Sequence, residues 1–236
     1  LSALRLPFLF IINFKATEGY IIAENELNPN YIRFQTTKNT LQNIECIAAK
    51  EQLIWQTSQV SLEEYRLRFE YVQAQIHKGN SFLVNLTQPT QLKTNLSLSE
   101  IYDCGSAKYK LWLKDKFTVL SPETFIQIRN GIISSFPMKG TIDASILNAE
   151  ELILNDPKEK AEHATIVDLI RNDLSMVAQN VEVKRYRYID QLSTNKGELL
   201  QVSSEITAQL PEDYSSKMGD ILFSLLPAGS ISGAPK

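Results

Sequence analysis

The stretch Thr124-Phe125-Ile126-Gln127-Ile128-Arg129-Asn130-Gly131-Ile132-Ile133-Ser134-Ser135-Phe136 decides the fold class. Two β-rich runs flank the pair Asn130-Gly131. A two-residue hairpin turn needs positive φ at both central residues, and Asn-Gly supplies both at little steric cost. The stretch therefore reads as two antiparallel strands, Thr124 to Arg129 and Gly131 to Phe136. Immediately upstream, Tyr109 to Leu113 and Phe117 to Leu120 read the same way. Phe8 to Phe14 and Gly19 to Ala23 form a further hairpin across a turn at Lys15 to Glu18. Tyr31 to Gln35 is a short strand, Ser81 to Gln88 is β-rich, and Leu199 to Gln209 is another strand. Val181 to Ile189 reads as strands or loops.

Helices are interleaved with these strands. Ser61-Leu62-Glu63-Glu64 has the form of a capping box, and Tyr65, Phe69, Val72 and Ile76 recur on one face before Lys78-Gly79 ends the helix. Asn155-Asp156-Pro157 opens a second helix, with a capping residue followed by proline at the first helical position, and it runs to about Asn172. Met218 to Leu226 is a third. Strands outnumber helices and lie in antiparallel order, so the fold class is α+β.

Composition narrows the function. The chain has 236 residues, 43% apolar and 22% charged, which is enough to bury a substantial core. A formal net charge of −3 argues against a nucleic-acid surface. An anionic substrate would need local cations or a metal ion, because the global field repels it. Cys46 and Cys104 are too few and too far apart for a disulfide framework or zinc site, which points to a reducing cytoplasmic setting. The apolar run from Leu6 to Asn13 is too short to span a bilayer. Leu1 rather than methionine begins the chain. Its end, Gly233-Ala234-Pro235-Lys236, is a turn that ordinarily leads into another element, so a C-terminal segment is expected beyond it.

Three constellations could carry chemistry. Lys139 sits in Phe136-Pro137-Met138-Lys139-Gly140-Thr141, between a proline-stiffened strand end and a glycine turn. Buried, such an amine becomes a nucleophile; exposed, it is a solvated lysine at a hairpin end. In the helix after Pro157, Glu162, Ile166, Leu169 and Asp173 share a face. A carboxylate on a half-apolar face suits Mg²⁺, but a surface salt bridge from Glu162 to Lys158 or Arg171 explains the spacing as well. His163 makes no zinc site with the distant His77 and reads as a partly buried orienting group. Pro227-Ala228-Gly229-Ser230-Ile231-Ser232-Gly233-Ala234-Pro235-Lys236 has small residues that let backbone approach a ligand, or it is an ordinary loop.

Taken in order, five segments are recognisable together. They are Gly79-Asn80-Ser81-Phe82-Leu83-Val84-Asn85-Leu86-Thr87-Gln88; Ser121-Pro122-Glu123-Thr124-Phe125; Pro137-Met138-Lys139-Gly140-Thr141; Ala161-Glu162-His163 with Ile166-Val167-Asp168-Leu169-Ile170-Arg171-Asn172-Asp173; and the terminal Gly-Ser-Ile-Ser-Gly-Ala-Pro-Lys. With them the chain resembles the chorismate-utilising enzymes, and among these component I of aminodeoxychorismate synthase (para-aminobenzoate synthase). The resemblance is strong over residues 61–236 and loose over the first sixty. It implies antiparallel sheets packed around a central site with outer helices. Residues 1–60 would be a strand-rich part of the same domain, and 61–236 the chorismate-binding catalytic region, incomplete at its C-terminus.

The resemblance also implies a reaction: amination of chorismate at C4 to 4-amino-4-deoxychorismate on the route to folate, with ammonia from a glutamine amidotransferase subunit. Lys139 matches the lysine that attacks C2 as the 4-hydroxyl leaves, and must be neutral to do so. Glu123 matches the acid/base carboxylate, and Glu162 a ligand of Mg²⁺. Gly140, Thr141, Gly229 and Ser230 match substrate-contacting positions, while Asp168 orients neighbours. Gln201 stands where the family often has a histidine linked to pyruvate loss. Leu83 stands where water-adding relatives carry a base lysine. Anthranilate synthase component I, whose usual residue at the Lys139 position is alanine, is the alternative enzyme; a non-catalytic scaffold is the alternative class. Further family residues, among them a second metal glutamate, follow the Ala-Pro-Lys, so this stretch alone is expected to be inactive.

Overall fold

Asn130 and Gly131 have φ of 51° and 78°, the left-handed pair that the hairpin reading required. The computed structural model describes residues 6–36, 52–194 and 197–235. In chain order its elements are β1 (Phe8–Ile12), β2 (Gly19–Ala23), β3 (Ile32–Gln35), β4 (Trp55–Ser58), α1 (Leu62–His77), β5 (Leu83–Val84), β6 (Gln91–Thr94) and α2 (Leu98–Cys104). There follow β7 (Tyr109–Leu113), β8 (Phe117–Ser121), β9 (Gln127–Arg129), β10 (Ile132–Ser135), β11 (Met138–Asp143), α3 (Ala149–Asn155) and α4 (Pro157–Ser175). The chain continues through β12 (Gln179–Thr194), β13 (Gly197–Gln209), α5 (Met218–Leu225), α6 (Gly229–Ser232) and β14 (Gly233–Ala234). Every strand pairing is antiparallel, and the fold is α+β as the sequence indicated.

The chain divides into two units: residues 1–25, 79–85 and 124–236 in the first, 26–78 and 86–123 in the second. The first is built on β13. Its start pairs with β11 and its end with β10, while β12 runs along the opposite edge and β9 extends the sheet from β10. Helix α4 closes one face. Ile166, Val167, Ile170 and Leu174 recur at helical spacing and meet Ile133, Ile206 and Ala208 of the sheet in one buried cluster. Asp156 caps this helix by accepting from the Glu159 N–H at 2.9 Å, and Pro157 follows as expected.

The second unit holds the sheet β3-β7-β8 and the pair β4–β6, with α1 and α2. The predicted Ser61 box is only half formed. Ser61 accepts from the Glu64 N–H, but the Glu64 carboxylate turns instead to Arg68. The complete box is at α2, where Ser97 and Glu100 cap each other reciprocally. Arg33 is held between the rings of Tyr102 and Trp112 and pairs with Asp103 at 2.7 Å. Cys104 is disulfide-bonded, which corrects the sequence reading of the cysteines and withdraws their support for a reducing compartment. Cys46, the other cysteine of the sequence, lies outside the described residues. No helix among the described residues is long and apolar enough to cross a membrane.

Candidate active site

Lys139 lies in a β-bulge. On β11, Met138 pairs with Ser203 and Thr141 with Gln201, so one residue on β13, Val202, separates the pairs where β11 has two. The register breaks between them, at Lys139 and Gly140. A bulge removes residues from the ladder and re-aims a side chain, and it needs a residue tolerant of positive φ. Gly140 supplies this with φ 83°. It is also closely packed: a Cβ there would sit 2.9 Å from Oε2 of Glu159.

The half-buried Lys139 side chain reaches away from its own strand. Its Nζ donates to the Ser230 carbonyl at 3.3 Å and, at the long limit of a hydrogen bond, to Oδ1 of Asn85 at 3.5 Å. The Asn85 amide is oriented by its other end, since Nδ2 donates to the carbonyls of Ile231 at 2.6 Å and Ser230 at 3.1 Å. The first unit thus brings Lys139 and Ser230 together through Asn85, a residue that sequence reasoning had not singled out. Its signal lay only in the motif around it, because its partners are about 145 positions away.

The glycine-rich C-terminal stretch does not hold an open cradle. Ala234 and Gly233 of β14 pair with Leu83 and Val84 of β5. A Cβ on Gly233 would fall 2.1 Å from the Leu83 carbonyl oxygen. Gly229 is buried, and a Cβ there would meet Cδ2 of Leu169 at 2.6 Å. These glycines let backbone pack on backbone and on α4. Ser230 is half-buried and contributes its carbonyl. Thr141 is exposed, opposite the half-buried Gln201.

Glu162 is half-buried on α4 and pairs with Lys158 one turn earlier, at 3.0 Å. Lys158 reaches Glu159 as well, at 3.3 Å, and the two carboxylates hold its ammonium above the usual lysine range, Glu162 contributing most. The salt-bridge explanation of Glu162 is therefore realised in this structure. Among the described residues no group of three or more His, Cys, Asp or Glu side chains is placed to hold a metal ion. Two carboxylates already gathered around one cation fit the partial share that a protein contributes to Mg²⁺, with waters and substrate oxygens completing the shell. Asp168 is exposed and pairs with Arg171 at 3.1 Å.

Glu123 belongs to the second unit, where it is half-buried and its N–H donates to Oγ of Ser121 at 3.2 Å. His163 has no exposed surface. Its Nε2 lies 2.6 Å from Oγ of Ser204, and burial, with the Arg187 charge nearby, lowers its pKa to about 4.

A family model described as chorismate binding enzyme matches residues 14–236. A Haemophilus influenzae protein named "Uncharacterized PabA-like protein" is 45% identical, the match covering 98% of this chain and 70% of that protein. Aminodeoxychorismate synthase component 1 of Klebsiella aerogenes is 33% identical over 75% of this chain, which spans 41% of the relative. Anthranilate synthase component I from Streptococcus pneumoniae has the same fold over 79% of this chain and 42% of its own, with a TM-score of 0.58 and 21% identity.

Proposed function

The chain belongs to the chorismate-binding enzyme family, and from that premise we propose that it aminates chorismate at C4 to give 4-amino-4-deoxychorismate. The observation that carries this reading is the placement of Lys139, an amine aimed out of a bulge toward Asn85 and the Ser230 carbonyl. Fold does not choose among the family's reactions, because anthranilate synthase shares it.

In the proposed reaction the neutral Lys139 amine forms a bond to ring C2, the C1=C2 and C5=C6 double bonds move to C1=C6 and C4=C5, and the C4–O bond breaks. Glu123 gives a proton to the departing hydroxyl, which leaves as water. Ammonia then bonds to C4, both double bonds return to C5=C6 and C1=C2, and the C2–N bond breaks to release the lysine. The sum is chorismate plus ammonia to aminodeoxychorismate plus water. Gly140, Thr141 and Ser230 would contact the substrate, while Gly229, buried against Leu169, would act by holding Ser230 in place. Asn85 and the Ser230 carbonyl orient Nζ before attack. Glu162, with Glu159 beside it, would hold Mg²⁺, whose charge would offset that of the substrate carboxylate. Ammonia would come from a glutamine amidotransferase partner, in keeping with the names of the relatives, and the product would enter folate synthesis.

The test is product analysis with chorismate, ammonium and Mg²⁺, comparing the protein with Lys139→Ala. Loss of aminodeoxychorismate in the variant supports the covalent role, and a shift toward anthranilate supports it further. Unchanged aminodeoxychorismate formation would overturn it. Anthranilate as the product of the unaltered protein would replace this reading with the anthranilate synthase one.

A further inference from the structure

The proposed reaction leaves the ammonium of Lys158 unused. Its Nζ sits between two carboxylates, 3.3 Å from Oε1 of Glu159 and 3.0 Å from Oε1 of Glu162. Adjacent residues on a helix do not face each other. Reaching Glu159 as well as Glu162 therefore takes a lysine stem drawn back over the first turn of α4, to where the two carboxylates meet. The carboxylates are the sheltered members, with side chains 24% and 32% exposed, and Lys158 is the open one at 71%. The other oxygen of Glu159, Oε2, lies against the bulge, 2.9 Å from where a Cβ of Gly140 would stand. The ion cluster thus borders the residue that follows Lys139.

Two features make this attachment easy to break. Lys158 follows Pro157 in the first turn of a 19-residue helix, where the positive end of the macrodipole disfavours a cation. The order of its pair with Glu162, lysine four residues before glutamate, is the weaker of the two orders. An ion pair this exposed adds little to stability in any case. What the ammonium does supply is charge. Both Oε1 atoms point to one place, and without a cation there the two carboxylates would repel each other across one turn of the helix.

We propose that Lys158 is the resident counter-cation of the Glu159–Glu162 pair: it neutralises the two carboxylates until a divalent cation takes its place, and then swings to solvent while the helix stays where it is. A doubly charged ion attracts the pair more strongly than one ammonium does, and hard oxygen ligands suit it. Lys158 thereby sets the concentration of divalent cation at which the pair changes partner. This role rests on the reading of Glu162 as a ligand of Mg²⁺, and adds to it a competitor built into the same turn.

Two measurements test it, and neither needs turnover. Mn²⁺ binding is followed by electron paramagnetic resonance of the free ion for the unaltered protein, Lys158→Met and Glu162→Gln. Acetylation of Lys158 relative to the exposed Lys93 is followed by mass spectrometry, without and with Mg²⁺. Met keeps the length of the stem and removes its charge, and thermal melts identify any variant that does not fold. Lys158→Met should bind Mn²⁺ about three- to tenfold more tightly than the unaltered protein. Glu162→Gln should bind it about tenfold more weakly or worse. In the unaltered protein, Mg²⁺ should raise the relative labelling of Lys158 by about twofold or more as its ion pairs are lost. Equal Mn²⁺ affinity in the unaltered protein and Lys158→Met, or labelling of Lys158 indifferent to Mg²⁺, would overturn the counter-cation role; weakened binding by Glu162→Gln would then leave the metal reading standing. Absence of Mn²⁺ binding in both the unaltered protein and Lys158→Met would overturn the two together.

Discussion

Burial of His163 should make the protein acid-sensitive well above the range in which carboxylates titrate. In the unfolded chain its imidazole takes up a proton near pH 6.5, whereas in the folded chain it does so only at about pH 4. Between those values the unfolded state binds more protons, so stability falls as pH falls, and the loss is complete once the folded pKa is passed. Each pH unit inside the window costs about 1.4 kcal/mol, which gives about 2 kcal/mol between neutrality and pH 5. That is a sizeable share of the roughly 5–15 kcal/mol typical of a domain.

The assay is urea unfolding at about pH 7 and about pH 5, for the unaltered protein and for His163→Asn, whose side chain does not titrate there. The variant has its own stability at each pH; only the difference between the two pH values is compared. His77, the other histidine of the sequence, is exposed at the end of α1 and is present in both proteins, so its contribution cancels. The unaltered protein should lose about 2 kcal/mol more than the variant on acidification. Equal losses would refute the claim that the ring is buried and neutral.

Three further outcomes follow from particular contacts. Gly140→Ala should cost about 1–2 kcal/mol for its left-handed backbone and displace the Glu159 carboxylate 2.9 Å away; thermal denaturation reads the first and amination the second. Gly233→Ala places a Cβ 2.1 Å from the Leu83 carbonyl oxygen, a backbone atom that cannot step aside. The β5–β14 pairing should break at a cost of about 4 kcal/mol or more, seen as a large drop in melting temperature. Ser97→Ala removes the hydroxyl that accepts from the Glu100 N–H and donates to the Glu100 carboxylate, leaving only the backbone bond of the capping box, while Ser61→Ala removes the single bond its hydroxyl accepts. Urea titration should show about 1 kcal/mol for the first and about half that for the second.

How much of this was legible in the sequence depended on how local the cause was. Asn130-Gly131 fixed its hairpin because the turn is decided by two adjacent residues. Pro157 after Asp156 fixed the start of α4 for the same reason. Ser61 misled in part, because Arg68 competes for the carboxylate that would complete the box. The equally clear Ser97-Leu98-Ser99-Glu100 was passed over, and α2 with it. Helix α3 offered no signal, since Asn148 precedes it in a left-handed conformation and makes no side-chain cap. Strand β12 was ambiguous because Asn180 and Arg187, both at positive φ, interrupt its alternation, and its pairing comes from the buried β13. At the site, Gly140 could be read as a turn. The bulge could not, because it exists only against the register of β13.

The glycine-rich stretch shows what that difference means for chemistry. Its small residues were compatible with a ligand cradle or a plain loop, and their contacts answer differently: Gly233 makes room for β5 and Gly229 for α4. What the stretch offers to Lys139 is the Ser230 carbonyl, held in place by that packing. The lysine is therefore constrained at both ends. The bulge of β11 against β13 fixes its backbone, and Asn85 with Ser230 receives its amine. Ordering a free lysine side chain costs up to about 2 kcal/mol. Here much of that ordering precedes substrate, as preorganised catalysis requires. Loosening either end should act on turnover more than on substrate affinity.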